Sequence, residues 1–318
     1  MYCLLFLLLV LPCASGAEEP GFETWLDGLR REAETQGVSP RTLDQALTGL
    51  HPNPRLLVLE ESQPERTITL ASYLRQVVPA SRVKAARKRL AANRGLLEEI
   101  GAQYGVQPQF IVALWAIESD FGRNMGKSPV VASLATLAHG AKRPHRRDLF
   151  RTELLAALHI LDQQAIPADQ LVGSWAGAMG QCQFMPTNYL SLAVDYNQDQ
   201  RRDIWHTAPD VFASIAHFLA EKGWAVDQTW GREVKLPRGF APELVGLEVQ
   251  KPLAAWQELG VRRADGGDLP ARELQASLVQ PDQGRTFLVY GNFRVLREWN
   301  RSSYFGLAVS QLADRLAQ

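Results

Sequence analysis

A chain of 318 residues that is 46% hydrophobic can bury a sizeable core, with room for two or three subdomains. Its 34 basic and 34 acidic residues cancel, so no net field draws it to nucleic acid or to an anionic membrane. Eight tryptophans fit either a large core or a carbohydrate-stacking groove.

The first residues read as a targeting segment. An apolar run over residues 4–11, then Cys13-Ala14-Ser15-Gly16-Ala17 and acidic Glu18-Glu19, resembles a secretory signal peptide over residues 1–17 with a small-residue cleavage site. The run is too short to span a bilayer comfortably, and the segment before it has no Lys or Arg. Cleaved export is the expectation; lipid anchoring through Cys13 is the alternative, with Pro12 standing where such a signal has a small residue. Cys3 and Cys13 would leave with the signal and Cys182 would remain alone, so no internal disulfide is expected. Cys182 reads as a buried small filler rather than a nucleophile.

Beyond the signal, residues 21–92 are helical in pattern. Phe22, Trp25, Leu26 and Leu29 have helical spacing, Ser39-Pro40 opens a second helix and Leu70 begins a third, with breaks at 52–54 and 79–81. A long helix is expected over 83–104, ending at Gly105, followed by the helix that contains residues 110–122. Further helices are expected over 145–164 and 211–222. Between 227 and 292, Gly and Pro punctuate short β-like runs at 232–236 and 286–290. Helical periodicity returns over 302–316. The expected organisation is a helical N-terminal domain at 18–95, a catalytic core at 96–227, a small β-containing subdomain at 228–293, and a C-terminal helix at 294–318 that returns to the core.

Residues 110–122, FIVALWAIESDFG, form the most informative stretch. Ile111, Leu114, Trp115 and Glu118 fall on one helical stripe, while Phe110, Leu114, Ile117 and Phe121 cover an adjacent one. A helix apolar on more than one side is buried. A carboxylate set into it loses hydration, which raises its pKa and makes it a usable general acid near neutral pH. Asp120, two residues on, projects to a different side and reads as a solvated or capping residue. A second dense stretch, GSWAGAMGQCQFMP at 173–186, has glycines and small residues that let backbone approach a ligand. Gln181 and Gln183 offer amide donors and acceptors there, and Phe184 and Met185 offer apolar contact. On its own it is a Gly-rich connection between helices; beside the glutamate helix it looks like a groove wall.

WAIESDFG, then GAMGQCQFMPTNY, then DYNQDQRRDIW, then WNRSSYFGLAV resemble, in this order, the membrane-bound lytic transglycosylase B family over nearly the whole mature chain. The resemblance implies a mainly α (α+β) fold with a lysozyme-like helical core. It also implies periplasmic cleavage of the β-1,4 bond between N-acetylmuramic acid and N-acetylglucosamine in peptidoglycan, without water, leaving a 1,6-anhydromuramoyl end. Glu118 would be the single catalytic residue, first acid and then base. Ser174 would orient Glu118 or meet the substrate N-acetyl group, Gln183 would lie in the groove, and Phe184 and Met185 would form the apolar wall behind it. Tyr73 matches a groove tyrosine and Arg146 an arginine that would bind peptide carboxylates or the lactyl group; each also reads as a partly exposed helix residue. Asn300 matches a groove asparagine. Trp299 departs from the tyrosine usual beside it, and Phe218 stands where some members have a tyrosine.

Residues 195–206 place oxygen ligands at EF-hand-like positions, through Asp195, Asn197, Asp199, the backbone at Arg201, and Asp203, with Asp210 as a later acid that could close the site. The resemblance implies a structural calcium. Gln200 replaces the turn glycine and His206 the closing Glu, so a metal-free turn held by Asx hydrogen bonds stands equally. No cofactor is expected in catalysis. Expected partners are peptidoglycan strands and cell-wall synthesis or division proteins, with a monomer as default. A goose-type hydrolase, which needs a water held by a second acid, and a non-catalytic peptidoglycan binder are the alternatives.

Overall fold

The computed structural model describes residues 21–61, 68–164 and 166–318; the signal peptide expected over residues 1–17 lies outside them. The fold is mainly helical with two small sheets, as expected. Five helices come first: α1 (Phe22–Thr35), α2 (Pro40–Leu47), α3 (Pro54–Glu61), α4 (Leu70–Val77) and α5 (Ala80–Ala92). Ser39 caps α2 by accepting the Thr42 N–H, and its own hydroxyl donates to Asp162. The expected break at 52–54 separates α2 from α3, and its last residue, Pro54, opens α3 at a first helical position where its missing N–H costs nothing.

The single helix expected over 83–104 is two, α5 and α6 (Arg94–Tyr104). They divide at Asn93, which leaves helical geometry at φ −113°, ψ 17° while its amide nitrogen donates to Arg89 O. Apolar spacing carries across the junction, so periodicity alone does not show it. Next come α7 (Pro108–Ser119), α8 (Val130–Gly140), α9 (Pro144–Gln164), α10 (Pro186–Leu192) and α11 (Ala208–Glu221). Two short strands, β1 (Ser128–Pro129) and β2 (Val172–Gly173), pair antiparallel between them.

A five-stranded antiparallel sheet then forms in the order β4 (Gly246–Pro252), β6 (Gln275–Val279), β7 (Thr286–Val289), β3 (Gly231–Lys235), β5 (Arg262–Arg263). The β-like runs at 232–236 and 286–290 are β3 and β7. This sheet and α12 (Leu253–Glu258) enclose a separate small core around Val234, Trp256, Leu278 and Leu288. The chain closes with α13 (Gly291–Trp299) and α14 (Ser303–Leu316). Helix α14 packs against α7, α5 and α4, returning to the main core.

Helix α7 lies at the centre of that core. Every residue from Phe110 to Ala116 is buried, and each large apolar side chain there contributes roughly 1.5–3 kcal/mol. Its first turn is anchored by Gln107, which accepts the Trp224 indole N–H at 2.7 Å. Among the described residues, no helix is long and apolar enough to cross a membrane.

Candidate active site

The stripe carrying Glu118 stays helical only as far as Ser119. Asp120, Phe121 and Gly122 then turn left-handed, with φ of 51°, 61° and 82°. The expectation that Phe121 extends a helical stripe is therefore corrected: it sits in this turn, its ring edge-on to Trp115 at 5.1 Å. Two non-glycine residues at positive φ cost about 1 kcal/mol or more each, and the surroundings hold them there. Ser119 Oγ accepts the Gly122 N–H at 3.0 Å, and Asn124 N–H reaches Ser119 O at 2.8 Å. Gly122 is required, since a Cβ there would lie 2.6 Å from Gln181 Oε1.

The turn also fixes the two acids. Asp120 is half-buried and ion-paired to Arg123 at 2.7 Å and to Arg82 of α5 at 3.7 Å. It is an ion-paired cap, not a second acid presented to a substrate. Glu118 is half-buried on the last turn of α7, in dense apolar surroundings yet with part of its surface open. Burial pushes its pKa from 4.5 up to about 8, against the lowering effect of one hydrogen bond, from Trp299. That bond runs from the indole Nε1–H to Glu118 Oε1 at 2.6 Å. At neutral pH Glu118 is therefore a protonated acid able to give up a proton.

The stretch at 173–184 folds beside it as a pinned loop. Ser174 N–H reaches Ala178 O, Met179 and Phe184 exchange both backbone bonds, and Gln181 N–H reaches Ile204 O. Gly173 allows this closeness, because a Cβ there would lie 2.2 Å from Ala178 O. Ser174 Oγ accepts the Ala178 N–H at 3.0 Å, which leaves its O–H to donate. Gln183 adopts φ 50° and spends its amide N–H groups on Met125 O and Gly180 O, so its carbonyl oxygen is what remains to face a ligand. Gln181 differs from the expectation of a groove amide. Its Oε1 accepts the Trp115 indole N–H and its Nε2 donates to Trp205 O, tying α7 to the 201–206 segment.

Phe184 is buried, in keeping with an apolar wall, and with Phe218 it flanks the Trp299 ring, at centroid distances of 5.3 Å and 4.6 Å. Met185, half-buried, precedes α10. Cys182 is fully buried with its S–H toward Val211 O; burial, Glu118 and Asp210 all push its thiol pKa up, which suits a filler and not a nucleophile.

The other three expected groove residues have contacts of their own within the fold. Tyr73 lies on α4 with its ring 5.6 Å from that of Tyr304. Arg146 donates from Nε to the buried Glu60 at 2.9 Å and lies over Phe150, so at least that edge is engaged within the fold. Asn300 is exposed and accepts the Ser302 N–H, turning α13 into α14. A cavity of about 560 Å³ opens past Met125, between Val172, Tyr189, Arg202 and Trp205, but Glu118 does not line it. The chemistry is placed by the acid raised to about 8, not by this hollow.

The 195–206 loop has the EF-hand-like course without its closing acid. Asp195 accepts Asp199 and Gln200 N–H, Asp199 accepts Arg201 N–H, and Asp203 accepts Trp205 and His206 N–H. Asp210 is fully buried and spends one oxygen on Tyr196 N–H and the other on Asp203 N–H. His206, at the closing position, is exposed with its ring 3.3 Å from Asp203. Among the described residues no group of three or more His, Cys, Asp or Glu side chains is arranged to hold a metal. These backbone bonds are those of the Asx-turn alternative, and the position of the closing acid is held by the exposed His206.

Sequence reasoning missed the pairing of Trp299 with Glu118 and the structural role of Gln181. Nothing local signals either contact, although an indole N–H entering a buried acid's surroundings can only donate.

The family description "Transglycosylase SLT domain" matches residues 21–314. Membrane-bound lytic murein transglycosylase B of Escherichia coli (strain K12) is 34% identical over 230 residues, covering 67% of this chain and 58% of that protein. The chain thus matches a little over half the length of that relative. Among solved structures, SltB3 from Pseudomonas aeruginosa in complex with NAG-anhNAM-pentapeptide superposes with TM-score 0.87 at 42% identity, covering 93% of this chain and 79% of that one. The Escherichia coli lytic transglycosylase Slt35 in complex with calcium superposes with TM-score 0.80 at 24% identity, over 95% and 94% of the two chains, a likeness of fold. With a family match that runs from the first described residue into the last helix, this chain belongs to the SLT-domain transglycosylases.

Proposed function

We propose that this protein is a peptidoglycan lytic transglycosylase that cleaves the β-1,4 bond between N-acetylmuramic acid and N-acetylglucosamine without water. The observation that carries the reading is a lone carboxylate, Glu118, raised to about 8 in an apolar setting while the neighbouring Asp120 is committed to Arg82 and Arg123. Hydrolysis of the usual kind needs two carboxylates flanking the bond; one acid suits a reaction whose nucleophile comes from the substrate. Protonated Glu118 gives its proton to the glycosidic oxygen as the C1–O bond breaks, the bonding pair leaving with that oxygen. The resulting carboxylate takes the proton of the C6 hydroxyl of the same muramic acid as O6 bonds to C1. Glu118 ends protonated and no water is consumed. The substrate N-acetyl group stabilises the oxocarbenium-like charge between the two steps. The names of the relatives, and a muropeptide bound to one of them, support this substrate class.

On this reading Ser174 donates to an N-acetyl carbonyl, the Gln183 carbonyl oxygen accepts from the sugar, and Met185 and the Trp299 ring form an apolar wall; the bonds that leave the Ser174 O–H and the Gln183 carbonyl oxygen open support it. Tyr73, Asn300 and the uncommitted edge of Arg146 serve more distant parts of the strand or its peptide. The segment 228–293 acts as a small subdomain with its own core, between the catalytic core (96–227) and the returning C-terminal helix. The N-terminal helices 18–95 flank that core. Work on the cell wall agrees with export through the signal read in residues 1–17, and no step of the reaction passes through a metal.

Mass spectrometry of muropeptides released from purified sacculi tests the reading. Products lighter by one water than reducing-end muropeptides, lost in Glu118→Gln, are expected. Reducing products would replace it with the hydrolase, and no release with the binder.

A further inference from the structure

Trp299 stands 181 positions from Glu118 in the chain, yet its indole N–H meets Glu118 Oε1 at 2.6 Å. An indole N–H donates and cannot accept. The hydroxyl oxygen of a neutral carboxyl is a poorer acceptor than its carbonyl oxygen, so the short indole bond favours the neutral form in which Oε1 is the carbonyl oxygen, and it persists when Glu118 is charged. On the reading of Glu118 as acid and then base, we propose that Trp299 is a positioning residue that assigns the transferred proton to Oε2 and keeps Oε1 as the anchored carbonyl oxygen. In the first step the proton leaves Oε2 for the glycosidic oxygen, and the charge left on the carboxylate is shared by Oε1, where the Trp299 bond becomes charge-assisted and shortens the energy gap. In the second step the C6 hydroxyl proton returns to Oε2. One oxygen performs both transfers while the other never turns.

The indole is held for this task. Phe184 and Phe218 flank its ring, and Trp299 ends α13, where Asn300 and Ser302 fix the corner into α14. A tyrosine hydroxyl, which the family resemblance places here, both donates and accepts and would permit the proton on either oxygen. The other charged groups around α7 have their own partners. Arg82 of α5 goes to Asp120, and Arg89 of α5 lies over the Trp115 ring. Asp210 of α11 goes to the 195–203 backbone, and on α14 Asp314 accepts from Trp230 while Arg315 donates to Val78 O. The ionisable neighbour that senses Glu118 is Cys182, whose thiol stays protonated.

The experiment replaces Trp299 by 3-benzothienylalanine, in which sulfur stands for the N–H and the ring keeps its shape, alongside Trp299→Phe and Trp299→Tyr. The pH profile of anhydro-product formation on soluble glycan strands is read together with the infrared C=O stretch of protonated Glu118, identified by its absence in Glu118→Gln. Loss of the N–H is expected to move the alkaline limb, set near 8, up by about one pH unit and to cut turnover roughly tenfold. The C=O band should shift to higher wavenumber, as for a carbonyl that has lost its donor, and Trp299→Tyr should bring the limb part of the way back. An isosteric variant that melts like the parent and keeps both limb and band overturns the assignment. If Glu118→Gln itself still forms anhydro products at the parental rate, the acid–base reading falls instead; if it is inactive while the isostere is unchanged, only the role of Trp299 falls.

Discussion

Glu118 on α7 and Glu153 on α9 are both set into core helices of this molecule, and their surroundings give them opposite uses. Glu153 is 8% exposed and turned toward the start of α10, where it accepts Thr187 N–H at 2.9 Å and the Thr187 hydroxyl at 2.8 Å. Burial raises its pKa, but both oxygens have donors and a helix N-terminus favours negative charge there. Among the described residues Glu118 receives one donor, on one oxygen, and the rest of its carboxyl is desolvated by burial. A buried carboxylate with its hydrogen bonds filled is a fastener between helices. One left half-filled beside an opening is a proton carrier.

Exchanging each carboxylate for its amide tests that contrast most strongly. Glu118→Gln should lose at least about a thousandfold in the rate of anhydro-product formation, since it removes general acid and general base together. Its stability should move the other way. Below pH 4.5 the folded and unfolded states both hold Glu118 neutral, so variant and parent melt alike. Between 4.5 and about 8 the unfolded chain releases the proton while the folded protein retains it, so the parent loses stability as pH rises and the variant does not. Thermal melting across that window should show the variant's advantage growing with pH and levelling above 8. Glu153→Gln should do the reverse. It leaves an amide N–H₂ facing a donor, costing about 1–3 kcal/mol of stability, with turnover within a few-fold of the parent. Should Glu153→Gln abolish cleavage without unfolding, the division between fastener and carrier breaks.

How far this contrast is legible in the sequence depends on whether local pattern or tertiary contact decides it. Residues 110–118 show the buried helix and its carboxylate, because apolar spacing on two stripes is a local property. Ser39-Pro40 likewise shows a helix start, and 232–236 and 286–290 show two strands of the main sheet. Four features do not show. The division at Asn93 lies inside an unbroken apolar period, and α7 ends at Ser119 although Phe121 continues its spacing. Only packing reveals why: Phe121 meets Trp115 from a left-handed turn that Ser119 and Arg82 help to hold. Trp299 meets Glu118 from the far end of the chain, and Gln181 is taken up by two tryptophans. Residue type announces an acid and a groove; which oxygen has a donor is fixed by the return of the C-terminal helices.

Smaller effects sharpen the same comparison at its edges. Asp120→Asn removes the charge paired to Arg82 and Arg123 but keeps a side chain that tolerates the left-handed turn. The expected cost is at most about 1 kcal/mol, because the Arg123 partner is largely exposed and solvent screens the pair. Anhydro-product formation should stay within a few-fold; a loss approaching that of Glu118→Gln would make Asp120 the second acid and bring back the hydrolase.

The 195–206 loop gives the mildest test, since its acids are fasteners of the Glu153 kind. Asp195, Asp199 and Asp203 each accept backbone N–H groups of the loop, and Asp210 stitches it to α11 with both oxygens. A calcium ion needs six to eight oxygens, including a bidentate acid that closes the loop; here that position is the exposed His206. Ligand binding stabilises a fold in proportion to RT ln(1 + [L]/Kd), so a site that fills at millimolar calcium raises the melting temperature measurably. The melting temperature should be the same in millimolar calcium as in EDTA. A rise with calcium that disappears in Asp195→Asn would show that these oxygens hold a cation as well as their own backbone. The fastening role would then extend from protein donors to a metal.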